Sequence, residues 1–145
     1  MGSKSDSESM QPALEILKGF GIDYEVSIIS AHRTPEKARE YAKAAQSRGV
    51  EVIIAAAGGA AALPGVMASW TALPVIGVPL ATSELKGIDA LHSIVQMPGG
   101  IPVACMAVGS WGVKNAAHFA AEILALKYNN IREALDKYRN ELARS

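Results

Sequence analysis

Four apolar runs rich in β-branched residues alternate along the chain with segments of helical spacing. The runs cover residues 24–29, 50–55, 74–79 and 102–108, and the later ones are continuously apolar. Helical spacing is found at residues 7–19, 35–48, 63–70, 87–96, 111–127 and 130–143. Apolar strands that alternate with helices are typical of a parallel sheet covered on both faces. The pattern predicts a single α/β domain over residues 1–145.

One predicted helix is unusual because nearly every position from Asn115 to Leu126 is apolar or small. A helix on a protein surface keeps a polar face, so this one is predicted to be buried on all sides. In a chain of 145 residues, such burial points to contacts with other subunits. The last helix supports this view, since its apolar residues form one stripe: Ile131, Leu135, Tyr138 and Leu142. The alternative is ordinary packing onto the sheet.

Composition narrows the classes of protein that the chain can represent. Half of the residues are apolar, but no run approaches the length of about 18 residues that a bilayer crossing needs. Acidic and basic residues balance at 14 each without a basic block, which argues against nucleic acid as a partner. The opening MGSKSD lacks the pattern of a secretory signal, so a cytoplasmic protein without a membrane partner is expected.

The single cysteine and two of the histidines are expected to be structural. Cys105 lies inside the apolar run VACMAV, which is typical of a small buried hydrophobe. His92 and His118 fall on predicted helices and are expected to be packed or exposed rather than catalytic. No Cys/His spacing suggests a zinc site, so no metal is expected.

The stretch SAHRTP, directly after the first apolar run, is the strongest candidate for a functional loop. Thr34 and Pro35 suit the start of a helix, which leaves Ser30, His32 and Arg33 without a structural role. The fork of donors on an arginine suits phosphate, and a histidine can move protons near neutral pH. Because ligands bind at the carboxyl ends of parallel strands, these side chains indicate a binding site. The alternative is a solvated loop.

Three further loops could contribute to such a site. The opening GSKSDS is rich in hydroxyls before a helix and could hold phosphate, although Asp6 or Ser7 could equally cap the helix and the start could be a cloning remnant. AGGAAALPG, from Ala57, leaves backbone amides open, but it could be a plain tight turn. SIVQMPGGIP, from Ser93, joins a helix to the last predicted strand through a Pro-Gly-Gly turn.

Taken in order, the motifs GSKSD, SAHRTP, GGAA followed by LPG, and SIVQMPGGIPV make the chain closely similar to one family. They resemble the N5-carboxyaminoimidazole ribonucleotide mutases of purine biosynthesis (PurE), over essentially all 145 residues. The resemblance implies a flavodoxin-like three-layer α/β/α sandwich and a homo-octamer. Arg33 resembles the mutase class, whereas the class that uses free carbon dioxide typically has lysine there.

The resemblance also implies a reaction and a set of roles. An isomerase of this family moves a carboxylate from a carbamate nitrogen to the neighbouring C4 carbon of an aminoimidazole ribonucleotide, without metal or cofactor. By position, Ser3, Ser5 and Arg33 would hold the substrate phosphate, and Asp6 the ribose hydroxyls. The catalytic positions would be those of Ser30 and His32, near the migrating carboxylate.

The remaining implied contacts come from two loops. The backbone of Gly58, Gly59, Ala60 and Ala61, together with Leu63, would face the base and the released carbon dioxide. Three residues would help to close the site, and a neighbouring subunit could supply them: Gln96, Met97 and Pro98.

The chain departs from the family pattern in its chemistry. The family sequence GGAAHLPG has its proton-shuttle histidine where this chain has Ala62, and a family glycine is replaced by Ala56. A methyl group cannot transfer a proton, and loss of a positioned acid–base group costs roughly 10²- to 10⁴-fold in rate. An impaired enzyme is therefore expected, with His32 as a possible substitute base. The alternatives are a non-catalytic nucleotide-binding member of the scaffold and a regulatory α/β module that only assembles.

A second departure concerns the start of the chain. Family members carry an apolar strand before the glycine-serine loop, whereas this sequence opens on the loop itself. In a flavodoxin-like order that strand lies inside the sheet, and its absence would leave neighbouring backbone groups unpaired. The expectation is therefore a truncated chain or a misassigned start codon.

Overall fold

The computed structural model describes residues 1–144, so Ser145, the last residue of the predicted domain, lies outside the described residues. The helices are α1 (Asp6–Gly19), α2 (Pro35–Ala45), α3 (Leu63–Trp70), α4 (Ile88–Val95), α5 (Ser110–Ala125) and α6 (Asn129–Leu142). The strands are β1 (Ile53–Gly58), β2 (Val75–Leu80) and β3 (Ala104–Cys105). All six predicted helices are confirmed, although the second ends earlier, in a 3₁₀ turn at Gln46–Arg48. Among residues 1–144, no helix has the length and apolar character that a membrane crossing requires.

The three strands form one parallel sheet in the order β1-β2-β3. Ile53 pairs with Val75, and the register continues to Gly58 opposite Leu80. Helices α2, α3 and α4 cover one face of the sheet, while α1 and α5 cover the other and α6 packs on α5. The architecture is the predicted α/β sandwich of three layers, with a parallel sheet in the middle.

Alternation along the strands builds the two cores. Ala55 and Ala57 face the layer that contains α2 and α3, whereas Ala56 and Ile76 face α1 and α5. Successive strand residues point to opposite faces, so both cores are apolar only because these strands are apolar throughout.

Helix α5 is covered largely by its own chain. Seven of its residues are buried, and they are mostly small: Gly112, Val113, Ala116, Ala117, Ala120, Ala121 and Ala125. They pack against α1, β2 and α6, so ordinary packing, the alternative interpretation of this helix, explains much of its apolar pattern without other subunits. Gly112 is required there because a Cβ at this position would overlap the carbonyl of Ala107. At the helix ends, Trp111 is 77% exposed and Leu126 is 80% exposed.

The predicted strand at 24–29 is wrong, since these residues are extended but lie outside the sheet. Their hydrogen bonds to another strand-like segment involve only the first residue of the chain. The amino group of Met1 donates to the Ser27 carbonyl at 2.9 Å, and the Ile29 amide donates to the Met1 carbonyl at 2.9 Å. A strand forms hydrogen bonds with a neighbouring strand over several residues, whereas the backbone bonds described here join this segment to Met1 alone.

The other strands were predicted in the right order with inexact limits. The run 50–55 becomes β1 at Ile53–Gly58, because pairing with β2 begins only at Ile53. The run 102–108 yields only the two residues of β3. The carbonyls of Gly77 and Pro79 both face this edge, where they accept the amides of Met106 and Gly109. Because Pro79 has no amide to donate in return, the ladder between β2 and β3 ends early.

Gly77 provides a test of how closely the helices approach the sheet. A Cβ on this residue would overlap Cγ2 of Ile94 and lie 2.9 Å from Cγ1 of Val103. We expect Gly77→Ala to lower the free energy of unfolding by about 1–3 kcal/mol, the usual cost of overpacking. Urea denaturation of the variant and the parent measures this difference in the free energy of unfolding.

Gly19→Ala is the matched control, since nothing lies within 4 Å of a Cβ placed on Gly19. This variant is expected to be as stable as the parent or slightly more stable. Equal loss of stability in both variants would contradict the close approach at Gly77.

Candidate active site

The candidate site lies where the chain leaves the carboxyl ends of the parallel strands. Gly58 ends β1 and Leu80 ends β2, and the two residues are opposite each other in the register. A Cβ on Gly58 would overlap Oγ1 of Thr82. The loops that follow β1 and β2 therefore lie so close together that only glycine fits at position 58. This edge of a parallel sheet is the usual place for a ligand.

The opening loop folds over the first turn of α1. Asp6 is only 4% exposed, and its Oδ2 accepts the amide of Ser3 at 2.9 Å. The hydroxyls of Ser3 and Ser5 share a hydrogen bond of 2.5 Å, and Ser5 is the N-cap residue of α1. The structure therefore places two hydroxyls at the positive end of a helix dipole, an arrangement that suits an anion.

The SAHRTP loop is closed by its own side chains. The Ser30 hydroxyl accepts the Arg33 amide at 3.2 Å and Nε of Arg33 at 3.3 Å. Thr34 occupies the predicted N-cap position of α2, but its hydroxyl bonds to the backbone of Ser30 rather than to the helix. The expectation that Ser30 and Arg33 lack a structural role is therefore wrong, because together they shape the loop.

Arg33 also joins this loop to the opening loop. Its Nη2 donates to the Gly2 carbonyl at 3.3 Å, and a Cβ on Gly2 would lie 4.0 Å from Cβ of Ala57 in β1. The structure thus brings three of the predicted segments together, and the arginine side chain lies between the hydroxyl-rich loop and the start of α2.

His32 is exposed, and it differs from Ser30, Arg33 and Thr34 because its ring has no hydrogen-bond partner among residues 1–144. A ring held by nothing is free to turn toward a ligand, but it is not positioned in advance. A general base acts best when it is held within hydrogen-bond reach of its proton.

The loop after β1 is a tight and strained turn. The Ala61 amide donates to the Gly58 carbonyl at 3.1 Å. Gly59 has a φ of +59°, which costs glycine little, but Ala61 has a φ of +41°, which is unfavourable for a residue with a Cβ. Ala60 is exposed and Ala61 is buried. Strain of this kind is common where backbone must approach a ligand.

The same loop leads into α3 and toward the third predicted segment. Ala62 is the half-buried N-cap residue of α3, followed by the buried Leu63. A Cβ on Gly65 would lie 3.3 Å from Sδ of Met97. Met97 therefore packs on α3, while its neighbours on both sides, Gln96 and Pro98, are exposed.

Sequence reasoning missed the loop after β2. Thr82 lies against Gly58, and the Ser83 hydroxyl donates to Oδ2 of Asp89 at 2.6 Å. This hydrogen bond is the main cause that holds the pKa of Asp89 below its ordinary value. Ligands bind at the carboxyl ends of parallel strands, which is the reason for choosing SAHRTP as a candidate. The same reasoning would have selected Thr82, because it follows the end of a strand.

His118, His92 and Cys105, which were expected to be structural, are packed to different degrees. His118 packs between Phe20 and Tyr138, with ring centroids at 5.4 and 4.7 Å, and burial lowers its pKa. His92 is exposed on α4, and Cys105 is half-buried, with its thiol pKa raised by burial. None of the three lies on the loops that form the candidate site.

Comparison with known proteins places the chain in a family. The family described as AIR carboxylase (AIRC) matches residues 1–145, and the chain belongs to this family. Its relatives include the N5-carboxyaminoimidazole ribonucleotide mutase of Saccharolobus solfataricus, 57% identical over 142 residues that cover 98% of this chain and 89% of the relative. The mutase of Thermotoga maritima is 58% identical over 144 residues, which cover 99% of this chain and 83% of the relative.

A solved structure supports the same assignment. The crystal structure of Treponema denticola PurE superposes with a TM-score of 0.87 at 31% identity, and the match covers 99% of this chain and 89% of that one. The resemblance derived from the four motifs is confirmed, and with it the flavodoxin-like class of the fold.

Proposed function

We propose that this chain is a PurE-type isomerase that converts N5-carboxyaminoimidazole ribonucleotide to its C4-carboxylated isomer in purine biosynthesis. The observation that carries the proposal is the hydrogen bond from Arg33 to the Gly2 carbonyl, which unites a guanidinium, two hydroxyls and a helix N-terminus. Identities of 57–58% to mutases over nearly the whole chain support it.

The phosphate of the substrate would bind between the opening loop and Arg33. The hydroxyls of Ser3 and Ser5 would donate to its oxygens, and the guanidinium would add charge-assisted hydrogen bonds. The buried carboxylate of Asp6 would accept the ribose hydroxyls, since its other oxygen already holds the Ser3 amide in place.

The aminoimidazole would lie against the backbone of residues 58–61. The carbamate C–N bond breaks there and releases carbon dioxide, C4 forms a bond to that carbon, and the C4 proton leaves as the exocyclic nitrogen gains one. The reaction is balanced without a cofactor, provided that carbon dioxide is kept from water. Ser30 and His32 would lie beside the migrating carboxylate.

Ala62 is the residue at which the chain lacks an acid–base group that the proposed reaction needs. It lies at the start of α3, at the position where the family motif has its proton-shuttle histidine, and its methyl group carries no proton. Binding groups on the other loops do not depend on residue 62, so we infer that affinity is kept while proton transfer is slow. The second candidate function, a nucleotide-binding member without turnover, rests on this residue and on the loosely held His32 ring.

Closure of the site would require a cover over its open side. Gln96 and Pro98 are exposed beside the packed Met97, and they would supply that cover, with a neighbouring subunit contributing in a homo-octamer. The exposed side chains of Trp111 and Leu126 at the ends of α5 are consistent with such assembly. A cytoplasmic location is part of the same proposal.

Phosphate binding is tested with Arg33→Leu, which removes the cation, and Lys4→Ala, which removes an exposed cation from the opening loop. We expect Arg33→Leu to weaken binding of aminoimidazole ribonucleotide by roughly 1.5–3 kcal/mol, the value of a hydrogen bond to a charged group. Lys4→Ala should bind as the parent does. Calorimetry measures both affinities.

Because Arg33 also shapes its loop, the thermal midpoints of the variants must be compared with that of the parent. Equal affinities of the two folded variants would overturn the phosphate assignment. Complete lack of ribonucleotide binding by the parent would instead favour an assembly module.

Proton transfer is tested with Ala62→His. We expect kcat to rise by roughly 10²-fold or more, the range for restoring a general acid–base group, with little change in KM. The assay is run with N5-carboxyaminoimidazole ribonucleotide and, separately, with aminoimidazole ribonucleotide and bicarbonate, so that mutase and carboxylase activities are distinguished.

Ala60→His is the matched control, because it adds the same ring to an exposed position of the same loop. A gain in both variants would show that any nearby imidazole suffices. No gain in Ala62→His would show that His32 already carries the proton or that the chain has left this chemistry.

The assembly is tested by light scattering on the purified protein. We expect a mass of eight chains, in line with the octamer implied by the resemblance. A mass of one or two chains at micromolar concentration would contradict it, and with it the proposal that a neighbouring subunit completes the site.

A further inference from the structure

Thr82, in the loop that joins β2 to α4, has a hydroxyl that makes no hydrogen bond within residues 1–144. The residue is exposed, but its Oγ1 and Cβ fill the space where a side chain of Gly58 would lie. A threonine hydroxyl can donate one hydrogen bond and accept two. Because this hydroxyl lies against the end of a parallel strand with these capacities unused, it is available to a ligand at the carboxyl edge of the sheet.

The next residue, Ser83, holds the loop in this position. Its hydroxyl donates to Oδ2 of Asp89 in the first turn of α4 at 2.6 Å, and it accepts the Leu85 amide at 3.2 Å. The Lys86 amide donates to the Ser83 carbonyl at 3.0 Å, which closes the turn. The Ser83 side chain is thus bonded to α4, while the side chain of Thr82 lies against β1.

The far end of the same loop is fixed by close packing. Gly87 has a φ of +89°, which favours glycine, and a Cβ there would crowd Cγ1 of Val108 and Cα of Ala81. The loop after β2 is therefore held both by the bonds of Ser83 and by the packing of Gly87, so the hydroxyl of Thr82 is presented in a defined place.

The four loops at the carboxyl edge lie in a fixed order. Arg33 donates to the Gly2 carbonyl, and the Gly2 amide donates to the Ala56 carbonyl of β1 at 3.1 Å. On its other side, β1 pairs with β2. The order across the edge is therefore the SAHRTP loop, the opening loop, the loop after β1 and the loop after β2. Thr82 belongs to the last of these, so it lies at the opposite end of the site from Arg33.

This order determines which end of the substrate lies nearest Thr82. Under the proposed function, on which this inference rests, the phosphate lies between Arg33 and the opening loop, and the aminoimidazole lies against the backbone of residues 58–61. The sugar is bonded to N1 of the ring, and C4 lies across the ring from it. A carboxylate on C4 is consequently the group farthest from the phosphate, and it extends past Gly58 toward the hydroxyl of Thr82.

From this geometry we propose that Thr82 is a further substrate-contact residue, whose hydroxyl donates a hydrogen bond to the carboxylate on C4. Ser30 and His32 approach the migrating group from the SAHRTP loop, where it leaves the exocyclic nitrogen, and Thr82 binds it where it arrives. Because the acceptor is an anion, this hydrogen bond is stronger than one between neutral groups. Aminoimidazole ribonucleotide, which has no carboxylate, cannot form it.

The test uses two changes at this one position and two ligands. Thr82→Val keeps the branched shape and removes the hydroxyl, whereas Thr82→Ser is the matched control that keeps the hydroxyl. Calorimetry measures the affinities of aminoimidazole ribonucleotide and of its C4-carboxylated form for the parent and both variants. We expect Thr82→Val to weaken binding of the carboxylated ligand by roughly tenfold or more, the loss expected for a hydrogen bond to a charged group. Its affinity for aminoimidazole ribonucleotide should be that of the parent, and Thr82→Ser should bind both ligands as the parent does.

A selective loss cannot come from a disturbed loop, because aminoimidazole ribonucleotide reports on the rest of the site in the same variant. Thermal midpoints of the variants are expected to equal that of the parent, since Thr82 is exposed. Equal weakening of both ligands by Thr82→Val would show that the residue only shapes the loop and would overturn the proposal, as would unchanged affinity for the carboxylated ligand. If the parent binds neither ligand, the proposed function itself fails, and the contact at Thr82 fails with it.

Discussion

The parallel pairing of β1 with β2 is the interaction on which the rest of the structure depends. It aligns Gly58 with Leu80, so both strands end at the same height in the sheet and the loops that follow them begin side by side. It also sets the two faces on which the helices pack, with alanines of β1 on each. Small side chains allow the helices to approach closely, and the loops that follow the strands are consequently held near one another.

Much of the fold was predictable because its patterns are local. Helical spacing identifies each of the six α-helices among residues 1–144, and α3 has the predicted limits of Leu63 and Trp70. Strand limits were less predictable, since an apolar run does not reveal which residues find a partner. Residues 24–29 have the composition of a strand, but pairing is a long-range property that depends on what lies beside them.

The candidate site shows the same division between local and long-range information. The motifs identify Ser3, Ser5 and Arg33 as candidate ligand contacts, but only the folded chain brings Arg33 to Gly2 across 31 positions of sequence. The approach of Thr82 to Gly58 likewise arises from the register of two strands. Ala62 was recognised as a departure from a motif, which no hydrophobic pattern could reveal.

The way Arg33 is held has a consequence for the entropy of ligand binding. A free arginine side chain loses about 2 kcal/mol of rotamer entropy when it becomes fixed. Here Nε is already bonded to Ser30 and Nη2 to Gly2, so much of that ordering has occurred during folding. Of the five N–H donors of a guanidinium, two are used in this way, which leaves three for the anion proposed above. The arginine is thus preorganised, and for the phosphate contact proposed above, more of its interaction energy would remain available as affinity.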